Sequence, residues 1–293
     1  NSDIIRFNFE IDNIEFENQS NYIKIKSNAK GELSIIGMPK LPEYSASLIV
    51  DPTKEYEINY NVIKSYTLEN INIIPNQNIV DGLEDNIINS KDLNFYNSSN
   101  IYPPVNVNLS TPVIMRDIVV VNVSVVPFKY NPLLNQLEVF EEIEVIVSEV
   151  SDIEDIRRRD LPKSRVFEKI YQNKILNYET SIRDGEYQTP SILYICAGSL
   201  ESNSVFQQLV QWRKHRGYKV YTASLSETGS SASSIKNYIE DAYDNYDPVP
   251  EYVALVGDVG GSYSIPTYYE GFGHNTYNNQ CEGDHPYSQL DGN

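Results

Sequence analysis

The sequence predicts an all-β sandwich over residues 1–150, followed over residues 189–293 by an α/β half-domain on a doubly wound, mostly parallel sheet. Three observations carry this. Up to about Val150 the apolar residues alternate with period two, and no helical stripe of useful length interrupts them. From Thr189 the period switches, and unbroken apolar runs sit between stretches whose apolar residues recur every third and fourth position. Residues 151–188 between the two are charged and polar, the composition of a connector.

In the first part, Ile5/Phe7/Phe9, Tyr22 to Lys26, Tyr56 to Tyr60 and Val119 to Val125 are strand-like, rich in β-branched and aromatic residues that suit a pleated, half-buried surface. Breakers separate them: Asn28 to Gly31, Gly37 to Pro42, Asp51-Pro52 and Tyr102-Pro103-Pro104. Ile114 to Val126 and Leu137 to Val147 flank Pro127 to Pro132 and read as one long hairpin with a kinked connection. Such strands bury one face each, which two packed antiparallel sheets satisfy. A sandwich by itself implies no activity.

In the connector, Val166, Phe167, Ile170, Ile175 and Tyr178 give a short helix candidate, and Arg157 to Arg159 form a charged turn or a cleavage site. Ile192 to Ala197 then has the unbroken apolar character of a strand covered on both faces. A helix is expected from Ser202 to Arg216 with Val205, Phe206, Leu209, Val210 and Trp212 on one face, Ser202 as N-cap and Gly217 in the left-handed position after it. Tyr218 to Leu225 is the second strand. A second helix opens at Ser230 to Ser234, carries Ile235/Tyr238/Ile239/Ala242/Tyr243/Tyr246, and stops before Pro248 and Pro250. Tyr252 to Val256 is the third strand. Right-handed crossovers make this a doubly wound unit, whose open strand edges call for further strands.

The formal charge of −18 is uneven: residues 1–150 hold ten Lys/Arg against 21 Asp/Glu, residues 189–293 five against 12, and the connector eight of each. Acidic surfaces of this kind disfavour nucleic acid and anionic membrane as partners, because phosphate binding needs clustered Lys/Arg. They suit a solvated surface on an exported protein. No apolar run reaches the roughly 18 residues needed to span a bilayer. The chain starts at Asn1 without Met and stops at Asn293, as expected of a segment from something longer.

Ligands of open α/β sheets lie at the carboxyl ends of the strands, here Gly198-Ser199, Ser224 to Ser226 and Gly257 to Gly261. The last is glycine-rich, but it lacks a Lys-Ser/Thr ending and Asp258 repels phosphate. Asp258 has two readings: a turn cap, or an oxygen donor for a hard cation such as Ca²⁺, with Glu282, Asp284 and Asp291 as further donors. His215 ends a helix, where it complements the dipole. His274 and His285 lie in the loop 268–288, and Cys281 with His285, four residues on, mimics a thiolate–imidazole dyad, though catalytic dyads are held on separate rigid elements. Cys196 reads as a core residue, and nothing in the spacing supports a disulfide to Cys281. No residue here is assigned a catalytic role.

The run Ser191-Ile-Leu-Tyr-Ile-Cys, then Val205 to Val220 with its W-R-K-H-R-G-Y-K-V ending, Ile235-Lys-Asn-Tyr-Ile-Glu, and Tyr252-Val-Ala-Leu-Val-Gly-Asp with Ile265-Pro266 resembles the opening of the gingipain-type cysteine peptidase domain. Thr111 to Asp117, Val125 to Pro132 and Leu137 to Phe140 resemble the closing hairpin of that family's propeptide. The resemblance implies a caspase-like fold, a secreted or cell-surface protein and a polypeptide substrate. It also implies a propeptide over residues 1–150 that chaperones and inhibits the peptidase through an intramolecular contact. The connector is then cut on activation, with Arg183 the first choice of position and Arg159 and Arg165 next. The family's Ca²⁺ ligand in V-G-D maps onto Asp258, with Asp291 a second candidate. Its histidine in T-G-H-G and its nucleophile in A-C-x-x-G have no counterpart here, so both are expected after Asn293 and the 293 residues alone are expected to be inactive. Two rivals share this scaffold: a sortase-like transpeptidase, in which an amine replaces water, and a non-catalytic binding or adhesion module.

Overall fold

The computed structural model describes residues 4–77, 90–157, 160–179, 186–271 and 280–290. The chain divides into two compact units, Asn1–Arg157 with Lys174–Tyr178, and Arg158–Asn173 with Glu179–Asn293.

The first unit contains β1 (Ile4–Glu10), β2 (Glu15–Gln19), β3 (Tyr22–Lys26), β4 (Gly31–Glu32), β5 (Pro42–Val50), β6 (Lys54–Leu68), the one-turn helix α1 (Leu93–Tyr96), β7 (Val107–Leu109), β8 (Val113–Met115), β9 (Ile118–Val125), β10 (Phe128–Asn131) and β11 (Gln136–Asp152). In one sheet β11 pairs with β6 along one edge and with β1 and β10 along the other; in a second, β9 pairs with β5, β7 and β8. All of these pairings are antiparallel. The inward residues of each sheet meet: Leu48, Val50, Val119, Val121, Val123 and Val125 pack with Phe140, Ile143, Val145 and Val147. The period-two pattern thus produces the two-layered core it predicts. A second cluster around Phe95, Tyr96, Tyr102, Phe128 and Tyr130 adds an aromatic core to the unit.

The long hairpin expected around Pro127 is not formed. Ile118–Val125 and Gln136–Asp152 lie in different sheets, and the hairpin is the shorter pair β10–β11. The chain changes sheet at Val126-Pro127, where Pro127 has no N–H for a ladder. Buried Asn106 secures the crossing: its backbone carbonyl accepts the Val126 N–H at 2.7 Å, and its side-chain amide donates to the carbonyls of Val126 (2.6 Å) and Phe128 (2.8 Å).

Part of the stretch read as a connector belongs to this unit. Leu176 N–H donates to the Ser47 carbonyl at 2.9 Å, and the Asn177 side chain bonds both the N–H (2.8 Å) and the carbonyl (3.0 Å) of Ile49. The side chain stands in for a neighbouring strand at the edge of β5.

The second unit holds most of α2 (Arg165–Lys174), then β12 (Ser191–Cys196), α3 (Ser204–His215), β13 (Lys219–Ser224), the short α4 (Leu225–Thr228), α5 (Ala232–Asn245), β14 (Tyr252–Val256), β15 (Tyr268–Gly271) and β16 (Gln280–Gly283). The sheet order is β13-β12-β14, all parallel, so the chain leaves the central strand to one side and then the other. The two crossover helices accordingly cover opposite faces. Phe206 and Val210 of α3 pack on Ile192, Tyr194 and Cys196, while Ile235, Ile239 and Ala242 of α5 pack with Leu193, Ile195 and Ala197. Central β12 is buried along its whole length, whereas β13 and β14 are only partly covered.

Three local expectations are corrected. Asn203, not Ser202, caps α3, accepting from the N–H groups of Val205 and Phe206; Ser202 closes a preceding 3₁₀ turn. Val205, Leu209 and Trp212 are exposed, because three strands are too narrow to cover more of the helix than the Phe206/Val210 stripe. Leu225 does not end a strand but opens α4, where Ser224 and Glu227 cap each other. Gly217 takes the left-handed conformation foreseen for it, at φ +86°.

Candidate functional site

At the carboxyl end of the parallel sheet, the turn after β12 passes through Gly198 at φ +54° and the chain leaves β14 at Gly257-Asp258. Asp258 opens a tight loop. Its N–H donates to the Tyr263 carbonyl (3.0 Å), its carbonyl accepts from Ile265 N–H (2.8 Å), and its Oδ1 accepts from Val259 N–H (2.8 Å). Ser264 Oγ completes the loop on the Val259 carbonyl at 3.0 Å. A three-residue 3₁₀ turn, Gly261–Tyr263, follows the glycines. Asp258 is exposed and caps its own turn with one carboxylate oxygen.

The remaining sequence candidates disperse. Asp291 lies outside the described residues, as do His274 and the Cys281 side chain. Among the described residues no three of His, Cys, Asp and Glu converge on a common point. Asp258 therefore brings one carboxylate toward the six to eight oxygens that Ca²⁺ takes. The stretch 268–288, expected to be a loop, contains the antiparallel pair β15–β16 and then a 3₁₀ turn, His285–Ser288, that carries His285. His215 is the exposed last residue of α3, as the dipole reading requires.

Cys196 is a free thiol with no exposed surface. Burial first, and the nearby Glu201 carboxylate second, push its pKa up to about 11; that carboxylate accepts from Thr222 Oγ1 at 2.8 Å. Near neutral pH such a thiol is not a thiolate, so it lacks the electropositive setting of a nucleophile. It is a core residue of the sheet.

The connector holds contacts that no sequence pattern announced. Lys163 and Tyr187 form a parallel bridge, and Gln188 N–H donates to the Lys163 carbonyl at 2.9 Å. The Tyr187 ring lies beneath the Arg165 guanidinium (5.2 Å) and the Lys163 ammonium (5.8 Å), while its hydroxyl donates to Glu168. Gln188 Nε2 donates to the Val249 carbonyl at 2.9 Å, at the amino end of the sheet, where Ser191 Oγ also donates to Val249. Of the proposed cleavage positions, Arg159 and Arg183 lie outside the described residues. Arg165 opens α2, so it has to unwind before its peptide bond can lie extended in a protease.

Comparison with known proteins completes the picture. The family described as Propeptide_C25 matches residues 1–184, and Peptidase family C25 matches residues 185–293. Gingipain R1 of Porphyromonas gingivalis is 26% identical over 270 residues, covering 87% of this chain and 26% of the relative. Gingipain R2 of P. gingivalis (strain ATCC 33277) is 26% identical over 266 residues, covering 85% of this chain and 35% of the relative. The solved complex of P. gingivalis RgpB pro- and mature domains matches with a TM-score of 0.52 and 27% identity, over 60% of this chain and 93% of that one. The chain thus spans 26% to 35% of the length of these curated gingipains. It belongs to the gingipain-type cysteine peptidase family C25, with the family's propeptide over residues 1–184 and part of its peptidase domain over residues 185–293.

Proposed function

We propose that this chain is the propeptide and leading part of the peptidase domain of a secreted or cell-surface cysteine endopeptidase precursor. The observation that carries the reading is the junction. Likeness to the family's propeptide ends at residue 184 and likeness to its peptidase begins at 185, shortly before the central strand β12. On this reading the parallel sheet β13-β12-β14 is the opening of a caspase-like sheet, and the connector is cut to mature the enzyme, with Arg183 the first candidate. A thiolate attacks the substrate carbonyl and an imidazole delivers a proton to the leaving amine. Neither group is among these 293 residues, which supply the scaffold that orients the strand-end loops.

The test compares the 293-residue chain with a version extended through the T-G-H-G and A-C-x-x-G segments. Thiol-dependent peptide hydrolysis is expected of the extended protein alone. An extended protein with both segments and no such activity overturns the reading, as does hydrolysis by the 293 residues that Cys281→Ala abolishes. Transfer of the acyl group to an added amine in place of water identifies the transpeptidase rival.

Calcium is proposed as a structural ion that takes Asp258 as one ligand, with Asp291 the candidate second. Millimolar Ca²⁺ is expected to raise the Tm of the wild-type chain and to leave Asp258→Ala unmoved. Equal shifts in both remove Asp258 as a ligand.

A further inference from the structure

Positive charge in residues 189–293 is confined almost entirely to one place. Of the five Lys/Arg there, four fall between Arg213 and Lys219, and no Asp or Glu occurs from residue 202 to residue 226. The fold gathers these four cations at the amino end of the parallel sheet. Helix α3 runs back from the carboxyl ends of the strands, and β13 begins where it stops, with Lys219 level with Ser191 at the start of β12. Cations at a helix end complement its dipole, but that effect is confined to the last turn, and Lys219 lies beyond it on a strand.

Rings, not acids, hold three of these side chains. The Arg213 guanidinium lies over Trp212 (5.1 Å) and Tyr218 (5.5 Å), the Arg216 guanidinium over Trp212 (5.5 Å), and the Lys219 ammonium over Tyr221 (5.4 Å). Among the described residues none of the four cations has a carboxylate oxygen within 4.0 Å, whereas Arg6, Lys26, Lys40, Lys54, Lys64 and Arg157 each have one. A ring face orients a cation without neutralising it, so the charge stays available to a ligand. Lys214, Arg216 and Lys219 are exposed, and so are Trp212 and Tyr252 beside them. Of the acids at this end, Glu251 is buried, with its carboxylate accepting from Ser191 N–H at 3.4 Å, and Asp247 lies toward Tyr221 on the α5 side.

We propose that this cationic end of α3 and β13 is a binding surface for a short acidic stretch of polypeptide. Guanidinium planes pair with carboxylates at two points, and the exposed Trp212 and Tyr252 offer apolar contact that a sulfate or phosphate polymer does not use. The formal charge of −18 argues against a long polyanion or a bilayer, either of which overlaps the acidic surroundings of the patch. A stretch of a few residues meets the patch alone, because salt at physiological strength screens exposed charges beyond about 8 Å. The surface lies at the opposite end of the sheet from the strand-end loops, so it selects polypeptides by a segment remote from the reacting bond. That role in substrate choice rests on the precursor reading; the binding does not, because it is measured without catalysis.

The experiment titrates a fluorescently labelled peptide of repeated Glu-Glu-Leu with the 293-residue chain and follows its anisotropy. Saturable binding is expected, weakened about fivefold by Lys214→Gln with Arg216→Gln, the loss of two exposed charge pairs. Lys236→Gln removes the remaining cation of residues 189–293, on α5 across the sheet, and is expected to leave binding unchanged. Should the double variant fail to fold, Lys214→Gln alone decides, with about a twofold loss expected. No saturation, equal binding of the peptide with Gln for Glu, or binding indifferent to the loss of Lys214 and Arg216 overturns the proposal. Displacement of the peptide by dextran sulfate at equal charge, or variant-sensitive binding to phosphatidylglycerol vesicles, assigns the surface to a polyanion or a membrane and overturns it too. Variant-sensitive peptide binding by a chain whose extended form hydrolyses nothing upholds the surface and fells only the precursor reading.

Discussion

Replacing Gly257 by alanine is expected to destabilise the peptidase-side unit by about 2–3 kcal/mol, the cost of forcing a methyl group into a packed site. A Cβ at this position meets the Tyr263 carbonyl oxygen at 2.7 Å, the Ala197 Cβ at 3.0 Å and the Ile265 Cβ at 3.3 Å. The first contact is with backbone, and that oxygen accepts the Asp258 N–H which closes the loop. Relief by moving Tyr263 therefore breaks the bond that positions Asp258. Ala197 is fully buried at the end of the central strand and has nowhere to retreat. Gly260, three residues on, has nothing within 4 Å of a built Cβ, and its φ of −137° is open to any residue. Gly260→Ala is the matched control, expected within about 0.5 kcal/mol of wild type. The chain's single tryptophan, Trp212 on α3, reports this unit in urea. A shift of about 1 M in the midpoint is expected for Gly257→Ala, given a typical dependence on denaturant. Equal midpoints for the two glycine variants would show that the loop yields without cost.

What the sequence made legible follows the range of the interaction that specifies it. Period is local, so the strands of the sandwich and the Ile235/Ile239/Ala242 stripe of α5 are readable from a dozen residues at a time. Glycine conformation is local too, and Gly217 is where its neighbours place it. Partner choice is not local. Val119 to Val125 and Leu137 to Val147 look like two arms of one hairpin, yet each finds its register with strands tens of residues away. Helix exposure fails for the same reason: Val205, Leu209 and Trp212 have the spacing of a buried face, and only the width of the sheet decides that they are not covered. The α4 turn carries a local mark, since Ser224 and Glu227 have the spacing of a capping box. At the strand ends, sequence singled out Asp258, and the structure gives it a definite task in its own turn. The contacts of Tyr187 and Gln188 carried no local mark, because their partners lie in two stretches elsewhere in the chain, Lys163 and Glu168 in one and Val249 in the other.

Asn106 is the clearest case of a residue whose role exists only in three dimensions, and its replacement is expected to rank among the most damaging in the sandwich. It is 3% exposed, and its amide holds the two carbonyls on either side of Pro127, where the chain passes from one sheet to the other. Cutting the side chain back removes the donor that both carbonyls share. Leaving buried acceptors unpaired costs about 1–3 kcal/mol each, so Asn106→Ala is expected to lose about 2–4 kcal/mol after partial rescue by water. Asn106→Asp keeps the shape but turns the donor into a carboxylate facing two carbonyl oxygens. The neutral acid can still donate one bond, so folding raises the pKa of the introduced group above its unfolded value. The sign follows: the penalty is full above the raised folded pKa and shrinks as pH falls toward the unfolded value. Asn106→Asp is therefore expected to be less stable than Asn106→Ala at pH 7 and to gain on it toward pH 4, with urea unfolding followed by circular dichroism. Hydrogen exchange over residues 118–131 locates the effect, and faster exchange at Val126 to Phe128 is expected in both variants. Wild-type stability in Asn106→Ala would mean that the sheet crossing is held by Pro127 and the aromatic cluster alone, with the amide a bystander.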